Sequence, residues 1–145
     1  MKRILTLAVM VAFVLGTAAG VRAEDTIKIG AIFSVTGPAS FIGDPEKKTV
    51  DMLVEKINAS GGVLGKKLEV IVYASETNPN KAVTAANRLL KKDKVVAVIG
   101  PSLSGNSMAV KKIFEKAKMP LFSAAAADVI VKPVSKYIFK SAQDN

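Results

Sequence analysis

VVAVIGPSLSGNS, Val95 to Ser107, sets an apolar run, a turn of small residues and a helix start in immediate succession. Val95 to Ile99 reads as a strand covered on both faces, as the strands of parallel sheets are. The backbone N–H groups of Ser104 to Asn106 would then leave the following helix at its N-terminus, where the helix dipole favours an anion. The pattern G-x-x-x-x-G-N-S approaches a phosphate loop, but Asn106 stands where the phosphate-binding lysine belongs, which argues against a nucleoside triphosphate. Two readings remain open here: a smaller anion such as a carboxylate, or a tight strand-to-helix turn without a ligand.

Outward from this stretch the same alternation repeats. Ile27, Ile29, Ala31 and Phe33 fall at strand spacing and break at Gly37-Pro38. Asp44 is expected to cap a helix with Pro45 at its first position, and Val50, Leu53, Val54 and Ile57 repeat along one face until Asn58 to Gly62 end it. Leu68 to Tyr73 reads as a second strand. Asn78-Pro79 opens a second helix with Val83, Ala86, Leu89 and Leu90 inward, and a third runs from about Asn106 to Lys118 carrying Ile113, Phe114 and Ala117. Pro120 to Ser123 and Tyr137 to Lys140 complete a set of five strands. Short connections between alternating strands and helices imply an α/β fold, a doubly wound parallel sheet with right-handed crossovers and ligands at the carboxyl ends of the strands.

The N-terminus reads as an export signal. Lys2 and Arg3 precede a run from Ile4 to Leu15 that is apolar apart from Thr6, and Val21-Arg22-Ala23 offers a cleavage site before Glu24. The apolar core is nearer a dozen residues than the roughly 20 of a membrane anchor. With residues 1–23 removed, residues 24–145 form the mature chain, expected free in the periplasm. The sequence has no cysteine, so neither a lipid anchor at the cleavage point nor a disulfide is available.

Loss of Lys2, Arg3 and Arg22 leaves 18 basic residues against 12 acidic ones, so the net charge falls from +9 to +6. The lysines, among them Lys47, Lys48, Lys91, Lys92, Lys111 and Lys112, scatter over helix faces without aromatic interleaving or tryptophan, which argues for a solvated surface and against nucleic acid. Without histidine or cysteine the commonest general base, metal ligands and thiol nucleophile are missing, so no metal, cofactor or catalytic residue is expected. Ser102, Ser104 and Ser107 do not form G-x-S-x-G, and composition leaves only a Ser–Lys pair open.

Three motifs carry a resemblance over the mature chain: T-G-P-x-x-x-x-G-D (Thr36 to Asp44), I-N-A-x-G-G-V-x-G-K-K-L (Ile57 to Leu68) and P-x-K-A-V-x-A-A-N-x-L (Pro79 to Leu89). In this order and spacing, with VVAVIGPSLSGNS and PLFSAAAADV after them, the chain resembles the N-terminal part of the leucine/isoleucine/valine-binding protein family. The resemblance implies the first lobe of a two-lobe periplasmic receptor that captures a solute without chemistry and delivers it to the membrane permease of an ABC transporter. Carried over position by position, it implies ligand contacts at Ser104 and Gly105, at Ala125, Ala126 and Ala127, and at Ile42, with Phe41 beside it, where many relatives place an aromatic wall. In relatives the serine holds the ligand carboxylate, while a backbone carbonyl and a threonine hydroxyl help hold the ammonium. Ala127 stands at the threonine position, so one partner for an α-amino group is missing and the carboxylate half of the site is intact.

The resemblance also implies an incomplete lobe, because relatives are much longer and cross to a second lobe before returning to finish the first. Two functions follow as expectations. One is solute binding for amino acids or small carboxylates. The other is a non-binding remnant or interaction module that associates, with itself or another protein, through an uncovered sheet edge.

Overall fold

Eight residues, Thr26–Phe33, form β1, and they pair in parallel register with β2 (Lys67–Ala74) from Thr26 opposite Lys67 to Phe33 opposite Ala74. The computed structural model describes residues 26–143, so the signal segment and its cleavage site lie outside the described residues. On the other side of β1 run β3 (Val98–Ile99), β4 (Leu121–Ser123) and β5 (Ile138–Lys140), all parallel, in the order β2-β1-β3-β4-β5. Connections leave β1 in one direction and β3 in the other, so the switch point lies between those two strands, and a crevice at their carboxyl ends is where such sheets take ligands.

Parallel register sets facing side chains in rows. Gly30, Val98, Leu121 and Ile138 form one row, and it lies against α2 (Pro79–Arg88) and α3 (Ser104–Ala117). There Ile32, Ala85, Ala86, Leu89, Val110 and Phe114 close the main core. Gly30 makes room in it, since a Cβ would sit 2.7 Å from the end of the Leu89 side chain, which would have to shift.

The opposite row, Ala31, Ile99, Phe122 and Phe139, differs from the expectation of strands covered twice. α1 (Ser40–Ala59) packs over β1 and β2 on that face, leaving β4 and β5 bare among the described residues. Phe122 and Phe139 stack with ring centroids 5.0 Å apart and are each 43% exposed, and Val96 is exposed as well. An apolar run therefore signalled a sheet but not how many helices cover it.

α1 begins at Ser40, ahead of the expected cap at Asp44. The turn at Gly37-Pro38 winds straight into it: Ser40 N donates to the Gly37 carbonyl at 3.1 Å and Gly43 N to that of Ala39 at 3.2 Å. Pro45 consequently lies inside the helix, where its missing N–H deprives one early carbonyl of a partner rather than opening the first turn. Gly43 fixes the placement, because a Cβ there would come within 2.4 Å of the Ser34 backbone. At the far end the Asn58 amide mimics a strand, donating to the Leu68 carbonyl at 2.9 Å and accepting from Leu68 N at 2.8 Å.

The second helix starts as expected. Asn78 Oδ1 accepts from Asn80 N at 2.8 Å and from Lys81 N at 3.3 Å, with Pro79 at the first helical position. Its inward face is Ala82, Ala85, Ala86 and Leu89, with Val83 and Leu90 only partly buried; on α3 it is Val110 and Phe114, and Ala117 is exposed.

Candidate functional site

Loops after β1, β3 and β4 meet at the carboxyl edge of the sheet, and their small polar residues lock together. Between β1 and β3, Ser34 N donates to Ser102 Oγ at 3.0 Å, and the Ser34 and Ser75 hydroxyls share a hydrogen bond of 3.0 Å. Ser102 Oγ in turn donates to the Glu46 carboxylate, which reaches across from the early part of α1. Burial pushes the Glu46 carboxyl above its ordinary value, and the Ser102 hydrogen bond pulls partly back. Gly100, which leads out of β3, has φ +90°, and a Cβ on it would meet the Ile32 carbonyl at 2.3 Å. Only glycine can make this turn beneath the crevice.

The next turn opens α3 at Ser104. Leu103 precedes it with extended dihedrals and no capping side chain, and Ser107 N is the first to bond back, to the Leu103 carbonyl at 2.9 Å. The N–H groups of Ser104, Gly105 and Asn106 therefore belong to the turn that has no intrahelical acceptor. Ser104 Oγ accepts from Ala127 N at 3.3 Å, which joins the loop after β3 to the loop after β4. Beneath them Ser107 and Ser123 share a buried hydrogen bond of 2.7 Å, and Ser123 Oγ accepts from Ala125 N at 3.2 Å.

Ser104 and Ala127 are thus in contact, with Gly105 next to the one and Ala125 and Ala126 leading into the other. Gly105 is exposed, Ser104, Ala126 and Ala127 are half-buried, and Ala125 is buried. Ile42 stands on a separate element at the same edge, in the first turn of α1, and is half-buried. Its neighbour Phe41 is 75% exposed and is the side chain free to form a wall. Asn106 is buried, and its Nδ2 has no hydrogen-bond partner among the described residues.

Two lysines have largely buried side chains rather than forming part of the solvated surface, and one of them, Lys140, reaches this site. Lys111 is only 8% exposed and donates to the carbonyls of Val129 and Lys132, each at 3.4 Å. Lys140, on β5, has a side chain only 7% exposed and donates to the Ala126 carbonyl at 2.8 Å and to Asp128 Oδ1 at 3.0 Å. Asp128 also pairs with Lys132 at 2.6 Å. A lysine in a β-strand at the carboxyl edge was the available signal, but sequence does not say which way a strand residue faces.

A groove of about 350 Å³ runs beside this edge between α1 and the bare part of the sheet, lined by Phe33, Pro45, Glu46, Val50, Ile99 and Ala124. Ser104 does not line it, and at the donor turn Gly105 is exposed while Ser104 is half-buried. No cluster of three or more metal-ligating side chains occurs among the described residues. The arrangement presents donors to an oxygen ligand, and the hydroxyl set against a carboxylate at this edge, Ser102 on Glu46, is buried in the lock between β1 and β3.

A family model described as periplasmic binding protein matches residues 26–145. Among curated relatives, the Leu/Ile/Val-binding protein homolog 7 of Brucella melitensis is 35% identical over 86% of this chain and 31% of its own. The leucine-, isoleucine-, valine-, threonine-, and alanine-binding protein of Pseudomonas aeruginosa is 34% identical over 82% of this chain and 32% of its own. The chain therefore spans about a third of the length of the curated relatives it matches. Among solved structures, the branched-chain amino acid transporter substrate binding protein LivJ of Streptococcus pneumoniae, in complex with isoleucine, superposes with a TM-score of 0.79 at 34% identity, over 83% of this chain and 34% of that one. A solute binding protein of an ABC transporter from Rhodopseudomonas palustris, in complex with 3,4-dihydroxy benzoic acid, superposes with a TM-score of 0.76 at 28% identity, over 83% of this chain and 33% of that one.

Proposed function

This chain belongs to the periplasmic binding protein family, and on that footing we propose that it is the first lobe of a solute receptor that holds a ligand carboxylate at the Ser104 turn. Its relatives are solute-binding proteins, so its role is capture without chemistry. The observation that carries the site is the convergence of the unbonded first turn of α3 with the Ala125–Ala127 loop through the Ser104–Ala127 hydrogen bond. Donors preset at a helix N-terminus need no reorganisation to receive an anion. The ligand is an amino acid or a small carboxylate, and the partner is the membrane permease of an ABC transporter. Export through cleavage after Ala23 delivers the chain to the periplasm, and the mass of the mature N-terminus tests that step.

With contacts on one side and water on the other, the isolated lobe should bind weakly, with Kd on the order of millimolar. Thermal unfolding measured against added leucine and small carboxylates tests the reading. At a ligand concentration ten times Kd the stability gain is about 1.4 kcal/mol, from RT ln(1 + [L]/Kd). A binder gains stability with concentration along that curve, and a chain whose melting is unchanged by any of them is not a solute receptor.

A second reading is supported by one feature, the bare face of β4 and β5 with its stacked Phe122 and Phe139. An exposed apolar sheet face next to an edge strand favours association with a second copy or another protein. Sedimentation of the mature chain at several concentrations separates a monomer from a self-associating species.

A further inference from the structure

We propose that Lys140 makes this half-site selective for carboxylates that carry no α-ammonium group, an inference that rests on the carboxylate site proposed at Ser104. The Ala126–Ala127 peptide donates its N–H to Ser104 Oγ at 3.3 Å and accepts the Lys140 ammonium on its carbonyl at 2.8 Å. In a trans peptide these two groups point in opposite directions, so the carbonyl faces away from Ser104 and toward Lys140. The chain of dipoles runs one way, from the buried ammonium through the peptide to the serine oxygen. Hydrogen bonds in series polarise one another, and the charge at the head of this series draws electron density away from Ser104 Oγ. That leaves the Ser104 hydroxyl hydrogen as a strengthened donor for whatever sits beyond it.

Donors are in surplus in the same turn. The first-turn N–H groups of α3 lack intrahelical acceptors, and Asn106 Nδ2 is buried without a partner among the described residues. The nearby carboxylates are already paired, Asp128 with Lys132 and Lys140 and Glu46 with Ser102, and position 127 offers a methyl group. A carboxylate is therefore met by the first-turn N–H groups and the Ser104 hydroxyl. A ligand ammonium would lose water on approaching the same turn and find the Lys140 ammonium, itself paired with Asp128 at 3.0 Å, behind the peptide it must contact.

The test compares leucine with 4-methylpentanoate, which is leucine without its amino group, by amide chemical-shift titration of the mature chain at pH 7. The account expects 4-methylpentanoate to bind at least threefold more tightly, with the largest shifts at Ser104 to Asn106. Leucine binding equally or more tightly would overturn the selectivity and leave the carboxylate site standing, whereas failure of both acids to bind would overturn the site and the selectivity together. Lys140→Met, its fold checked by its own amide spectrum, should bring the two affinities within a factor of two. An unchanged preference in a folded Lys140→Met chain would remove the role assigned to Lys140, and if that variant does not fold the native comparison still decides the selectivity.

Discussion

Ser102→Ala should destabilise the lobe without touching its ligand, because Ser102 is buried at the switch point while Ser104 faces the open turn. The substitution removes the acceptor of the buried Ser34 N–H, at 3.0 Å, and the donor to Glu46. An unsatisfied buried N–H costs about 1–3 kcal/mol, so a loss of about 2 kcal/mol is expected at neutral pH. In a domain of this size that lowers Tm by about 8 °C, taking ~4 °C per kcal/mol. The loss should also depend on pH. Burial holds the folded Glu46 carboxyl above its unfolded value, so folding takes up a proton between the two values, and Glu46 lowers stability as pH rises through that window. Ser102 opposes this by bonding the ionised form; without it the folded value climbs further and the window extends upward. Urea unfolding at pH 4 and pH 7.5 should give a larger difference between native and Ser102→Ala chains at the higher pH, and Glu46→Gln should abolish the pH dependence of that difference. A difference below about 0.5 kcal/mol at both pH values would refute the network as the lock between β1 and β3.

Gly43→Ala should cost about 1–3 kcal/mol by overpacking, since its Cβ would lie 2.4 Å from the Ser34 backbone, whereas Gly65→Ala, with nothing within 4 Å, is strained only by its φ of +73° and should unfold at lower urea by less. Replacing both Phe122 and Phe139 with serine should reduce any self-association seen on sedimentation, because the bare face then loses its two stacked rings; an unchanged profile would place the contact elsewhere. Lys111→Met should lower thermal stability by about 1–3 kcal/mol, since the carbonyls of Val129 and Lys132 lose a charged donor, and Lys112→Met, on the exposed side of α3, should change it by less than about 0.5 kcal/mol.

Periodicity and turn residues made most of the frame legible. Ile27 to Phe33, Asn78-Pro79 and the run before Gly100 located β1, the start of α2 and β3, and the short connections implied the parallel order. What pattern could not carry was coverage and direction. Val96, Phe122 and Phe139 have the composition of buried strand residues, yet each stays 43% or more exposed, because coverage depends on elements remote in sequence. The start of α1 was misplaced because Asp44-Pro45 is a strong local capping signal, and the fit of Gly43 against Ser34, nine residues back, overrides it. At the site, Ser104 and the Ala125–Ala127 run came from the resemblance and do lie together. Lys140 and Lys111 were invisible because a lysine in sequence reads as solvated until its carbonyl partners are seen.

The most direct test of the central claim is a titration of the mature chain with 4-methylpentanoate, followed by amide chemical shifts in the native and Ser104→Ala forms. The account predicts saturable shifts at Ser104 to Asn106 and at Ala125 to Ala127, with Kd on the order of millimolar. Ser104→Ala should weaken binding several-fold, because a hydrogen bond to a charged group is lost from an open site, with Tm little changed. Shifts confined to the bare face around Phe122 and Phe139, or identical affinities in the two forms, would contradict it.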